Sequence, residues 1–232
     1  MQKPVSRRFG VPLSWQLLAF ALFSCSLLLG TGDASAAWSV DPVLRKAEKR
    51  YGRSGPAKDR LQAWHDLLES GRRLTERQQL QAVNREINRQ VRFSDDTALW
   101  QRRDYWATPV ETLAKGAGDC EDFALAKYFT LLQLGVAPDK LRITYARALE
   151  LNQAHMVVTY YETPDAEPLV LDNLVDDILP ASRRRDLALR YAFDTQGLYA
   201  MNGRAIRRVG STTELPFWQG LLARMEKEGF TL

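Results

Sequence analysis

The chain has 232 residues, 45% hydrophobic and 26% charged, with a formal net charge of +4. That balance excludes a disordered chain. The small basic excess lies partly in the N-terminal segment, so charge makes no case for nucleic-acid binding.

Lys3, Arg7 and Arg8 form a basic start, Val11 to Leu29 is mostly apolar, and Ala34-Ser35-Ala36 supplies small residues. Residues 1–36 read as a secretory signal peptide cleaved after Ala36. An uncleaved anchor is the alternative, because the apolar run approaches the ~20 residues that span a bilayer. Arg7-Arg8 is a weak twin-arginine signal, and the surroundings of Cys25 fit a lipoprotein poorly. Cleavage removes three basic side chains and one acidic one, leaving +2 on 196 residues, enough for a single domain. That domain spans 37–232, with a helical part over 37–95 and a core over 96–232 that carries the chemistry.

Asp41 to Tyr51 is a short amphipathic helix, and Pro56 opens a second with Leu61, Trp64, Leu67 and Leu68 on one face, closed by Gly71. Thr75 and Gln78 form a capping box for a third, striped by Leu80, Val83, Ile87 and Val91. Arg72, Arg73, Arg77, Arg85, Arg89 and Arg92 belong on a solvated face, and His65 on the second helix is structural. Phe93 to Thr108 is irregular and aromatic, either core packing or the wall of a groove. Thr108 to Leu113 is a short helix with proline in its first position.

The chain then reaches Gly116-Ala117-Gly118-Asp119-Cys120-Glu121-Asp122, a glycine turn feeding a helix that is apolar almost all round and ends at Gly135. Asp119 suits an N-cap, and Glu121 and Asp122 suit the positive end of the helix. Cys120 sits in the first turn, where unpaired backbone N–H groups stabilise a thiolate. Once Cys25 leaves with the signal, Cys120 is alone in an exported chain, which excludes an internal disulfide and a cysteine-rich zinc site.

Beyond the helix the period becomes that of strands. Leu141 to Leu149 and His155 to Tyr161 are strands; Thr163 to Ala166 is a turn, and Pro168 to Leu174 returns antiparallel with Asp172 near His155. Pro180 to Arg190 is basic and loop-like, with a strand around Tyr191 to Phe193. A last helix runs from about Leu215 to Glu228 with Phe217, Trp218, Leu221, Leu222 and Met225 inward.

A thiolate nucleophile needs a base, and the base needs an orienting acceptor. Cys120, His155 and Asp172 supply these roles from one helix and two adjacent strands, with the N–H of Cys120 contributing to an oxyanion hole. Asp119, Glu121 and Asp122 oppose ionisation of the thiol. Either the helix dipole offsets them or a hard cation binds there.

The runs Asp104-Tyr105-Trp106-Ala107-Thr108-Pro109, Glu111-Thr112-Leu113 and Gly116 to Asp122 together resemble the bacterial transglutaminase-like cysteine proteinases. Ala154-His155-Met156-Val157 and Leu169 to Leu174 extend the resemblance, which covers about residues 40–200 and is weakest after Gly203. It implies an α+β, papain/transglutaminase-like fold: N-terminal helices, and a buried cysteine-bearing helix packed on an antiparallel sheet. It also implies Cys120, His155 and Asp172 as the triad, and calcium held by Asp119 and Glu121 with help from Asp122. The family's substrates are large surface adhesins, cut near their N-terminus at a paired-alanine site, which disperses biofilm. Its partner is an inner-membrane cyclic-di-GMP receptor whose periplasmic domain sequesters the protease. The expectation is thus a periplasmic cysteine endopeptidase without stable membrane insertion. A transglutaminase or amidase using the same triad, and a non-catalytic calcium-binding module, are the rivals.

Overall fold

The structure is a computed structural model that describes residues 41–231 except 203 and 204, so the signal-peptide expectation for 1–36 lies outside the described residues. The chain opens with helices α1 (Asp41–Tyr51), α2 (Pro56–Gly71) and α3 (Glu76–Gln90), the last started by the Thr75–Gln78 capping box. The α3 stripe of Leu80, Val83 and Ile87 is fully buried, whereas the six arginines around it are exposed. For Arg77, Arg85 and Arg89, which lie on α3, both outcomes follow from the 3.6-residue period; Arg72, Arg73 and Arg92 lie beyond its ends.

Strand β1 (Arg92–Phe93) pairs in parallel with β2 (Ala117–Gly118), and between them lie helices α4 (Asp96–Trp100) and α5 (Pro109–Lys115). The short α4 corrects the expectation that 93–108 is wholly irregular. Gly116 ends α5 at φ 63°, in the left-handed region that glycine adopts without strain.

Helix α6 (Cys120–Gln133) buries Phe123 to Leu131 without a solvent-facing stripe. Trp64 of α2 donates its indole N–H to Thr130 on α6 at 2.9 Å, so two helices meet with their polar atoms satisfied. Phe129 stacks on Trp218 of the last helix, α7 (Pro216–Glu228), with ring centroids 5.6 Å apart. Trp218, Leu221 and Met225 point inward as expected, but Phe217 is 48% exposed, because it lies about 100° round α7 from Trp218, where it stacks on Trp106.

The sheet has seven antiparallel strands in the order β6-β5-β4-β3-β7-β8-β9. They are β3 (Leu141–Ala148), β4 (Gln153–Tyr160), β5 (Leu169–Leu171), β6 (Leu179–Pro180), β7 (Leu187–Phe193), β8 (Leu198–Asn202) and β9 (Ala205–Gly210). Strand β7 begins inside the stretch expected to be loop, and β8 and β9 lie where no strand was expected. Helix α6 packs across β3 and β4, with Leu141, Ile143, Met156, Val158 and Tyr160 in the shared core. Among the described residues, no helix is long and apolar enough to cross a membrane.

Candidate active site

Three elements converge at the head of α6. Cys120 is its first residue, so the N–H there has no acceptor within the helix. The Cys120 sulfur accepts a hydrogen bond from the backbone N–H of Met156, which follows His155 on β4. Strand β5 pairs with β4 at Val158–Leu171, and Asp172 follows directly. This register brings the Asp172 carboxylate to His155, with Oδ1 2.7 Å from Nε2. Both side chains are buried, His155 3% and Asp172 1% exposed. With Nε2 committed to Asp172, Nδ1 is the ring nitrogen outside that bond.

Asp172 is held on every side. Leu174 donates its N–H to Oδ1 at 3.1 Å, Arg184 donates to Oδ2 at 2.6 Å, and Asn88 donates to the Asp172 carbonyl at 2.9 Å. Burial alone raises its pKa, but the hydrogen bonds from His155 and Arg184 outweigh it and hold the carboxyl down to about 2.

The thiol lies in the opposite environment. It donates to Glu121 Oε2 at 3.0 Å, and burial followed by the Glu121 and Asp119 charges pushes its pKa up. Asp119 occupies the N-cap position of α6 without forming the expected side-chain cap. It turns instead toward other acids. Oxygens of Asp96, Asp119 and Asp122 lie within 4.8 Å of one another, and so do oxygens of Asp96, Asp104 and Glu121.

Burial, then neighbouring carboxylates, raise Asp119 to about 10; Asp122 is also raised, chiefly by burial, and Asp96 to about 6. Within this cluster three oxygens are buried without a hydrogen-bond partner in the structure: Asp96 Oδ1, Asp119 Oδ1 and Asp122 Oδ2. Converging, unsatisfied hard oxygens are what a divalent cation such as calcium requires. The residues therefore fit that ion. A Cβ on Gly118 would lie 2.6 Å from both Cβ and Oδ2 of Asp122, so only glycine lets the cluster close.

Asp119, Glu121 and Asp122, singled out from the sequence, all belong to this cluster. Asp96 and the place of Asp104 in the cluster were not foreseen from the sequence, although Asp104 opens one of the conspicuous motifs. Of the aromatic run, Phe93 is 52% exposed while Trp106 is partly buried between Phe193 and Phe217, so the segment is neither wholly core nor wholly wall. His65 remains on α2, away from these groups in sequence and element.

The family model for the bacterial transglutaminase-like cysteine proteinases matches residues 65–189. Among solved structures, the chain is similar to Legionella pneumophila LapG treated with EGTA, at 41% identity and TM-score 0.72, covering 81% of this chain and 98% of that one. It is similar also to calcium-bound Legionella pneumophila LapG, at 42% identity and TM-score 0.70, covering 81% and 99% respectively. Compared with curated protein sequences, the chain matches none.

Proposed function

Starting from the fact that the chain belongs to the bacterial transglutaminase-like cysteine proteinases, we propose that it is a periplasmic, calcium-dependent endopeptidase that cuts a large surface adhesin. The cut falls near the adhesin's N-terminus at a paired-alanine site and releases the cell from its surface. The observation that carries this reading is the 2.7 Å bond between His155 and Asp172, beside Cys120 at the head of a buried helix.

The steps follow from the residues. His155, oriented through Nε2 by Asp172, takes the thiol proton at Nδ1. The Cys120 sulfur attacks the scissile carbonyl, and the free N–H at the start of α6 receives the negative charge on oxygen. His155 returns its proton to the leaving amine, and water, deprotonated by the same ring, then hydrolyses the acyl-enzyme.

Asp119, Glu121 and Asp122, together with Asp96 and Asp104, would hold calcium. Bound there, the ion supplies positive charge that offsets the carboxylates opposing the thiolate. The calcium-bound form of the similar Legionella protein supports this assignment. Control by an inner-membrane cyclic-di-GMP receptor, whose periplasmic domain sequesters the protease, belongs to the same proposal and rests on the family resemblance. The test is a purified adhesin N-terminal segment: it should be cut, and replacing its alanine pair should stop the cut. Cleavage indifferent to that pair would remove the specificity claim.

A further inference from the structure

The stretch Arg183-Arg184-Arg185 presents three like side chains in a row, and the structure treats the middle one differently. Arg183 and Arg185 are exposed, whereas Arg184 is 2% exposed. A buried guanidinium needs carboxylate partners to offset its desolvation. Asp186 supplies one, with Nε–Oδ1 at 3.0 Å and Nη2–Oδ2 at 2.7 Å, a two-point grip. Nη2 goes further and reaches Asp172 Oδ2 at 2.6 Å. The arginine thus bridges a partly exposed carboxylate to the buried one that orients His155.

We infer that Arg184 is a positioning residue for the protease reaction: by taking Oδ2 of Asp172 it presents Oδ1 to the His155 ring. The inference rests on the cysteine-protease reading of Cys120, His155 and Asp172. A carboxylate is symmetric and turns about its terminal bond, so one anchored oxygen fixes where the other points. Leu174 N–H also meets Oδ1, beside His155, and leaves Oδ2 to Arg184. Lys127, the other buried cation near Asp172, has no hydrogen-bond partner for Nζ in the structure and so cannot orient the carboxylate. Asp176, the remaining charge facing this region, bonds Asn88 at 2.7 Å. Arg184, itself held by Asp186, is therefore the group that fixes Oδ2 of Asp172.

The test is the rate at which iodoacetamide labels Cys120 at neutral pH in calcium-containing buffer, read by intact mass. Arg184→Met should label about tenfold more slowly than wild type, and Arg184→Lys should recover part of the loss. Asp186→Asn, which loosens Arg184 without touching Asp172, should give a smaller loss and covers the case in which Arg184→Met fails to fold. In an Asp172→Ala background, neither Arg184→Met nor Asp186→Asn should slow labelling further, because the residue they act through is gone. Wild-type labelling by folded Arg184→Met or Asp186→Asn overturns the proposal, as does an undiminished additional loss in the Asp172→Ala background. Labelling of His155→Ala at the wild-type rate would instead remove the triad reading itself, and the proposal with it.

Discussion

The Cys120 thiol donates to the Glu121 carboxylate at 3.0 Å, so the group expected to act as a nucleophile spends its proton on an adjacent acid. Oxygens of Glu121, Asp96 and Asp104 also lie within 4.8 Å of one another. One carboxylate therefore serves both the sulfur and the acidic cluster, so whatever engages the cluster acts on the sulfur through Glu121 as well as through the Asp119 charge.

Calcium should accordingly stabilise the protein and speed Cys120 chemistry together. At a hundredfold excess over Kd, a ligand bound only to the folded state adds about 2.7 kcal/mol, or roughly 5–10 °C in Tm for a domain of this size. Thermal melts and iodoacetamide labelling with calcium and with EGTA measure both effects. A chelator that changes neither would remove the metal from the account.

Asp96→Asn and Gly118→Ala should each abolish most of the calcium-dependent rise in Tm. The first removes a buried oxygen that has no other partner in the structure; the second drives a Cβ to within 2.6 Å of Asp122. Melting temperatures in EGTA should fall much less than those in calcium. Calcium titration by calorimetry checks this, and unchanged affinity in both variants would contradict the assigned ligands.

His155→Gln should cost activity by about 10²–10⁴, the range expected for losing a positioned general acid–base. Asp172→Asn should cost a comparable factor, because its single amide oxygen cannot accept both from Arg184, now on Oδ2, and from His155 and Leu174, now on Oδ1. Steady-state cleavage rates of the two variants give the comparison. A fully active His155→Gln enzyme would exclude the imidazole from the reaction.

Glu228, on α7, gives a pH test of the fold. Burial and the nearby Glu111 raise its pKa to about 7, against the Arg50 ion pair at 3.4 Å. The folded state thus binds this proton more tightly than the unfolded chain, whose glutamate titrates near 4.3. Its favourable contribution is complete below the unfolded value and is lost as pH rises through about 7. Glu228→Gln should match wild type near pH 4 and exceed it by roughly 1–3 kcal/mol at pH 8. Denaturant melts at the two pH values decide, and a variant less stable at pH 8 would show that the Arg50 pair dominates.

What was legible in the sequence was whatever depends on local pattern. The apolar stripe of α3, its Thr75–Gln78 cap and the all-round apolar α6 follow from side-chain period and end chemistry, and their boundaries fall where those signals put them. The pairing of His155 with Asp172 was accessible because one turn separates their strands. The rest depends on contacts between distant segments. Asp96 joins Asp119 and Asp122 only because the β1–β2 pairing folds residue 96 back over the head of α6. Arg184 looks like its two neighbours until the chain past β6 turns it toward Asp172. Strands β8 and β9 escape notice because their residues, among them Arg207 and Arg208, lack a sustained apolar alternation.

The central claim is that the Cys120 sulfur performs the cleavage. Its most direct measurement is incubation of an adhesin N-terminal segment carrying the alanine pair with wild type and with Cys120→Ser, in calcium, read by gel and by fragment mass. Wild type should give two fragments, and Cys120→Ser should leave the segment intact. Cleavage by Cys120→Ser at the wild-type rate would contradict the claim.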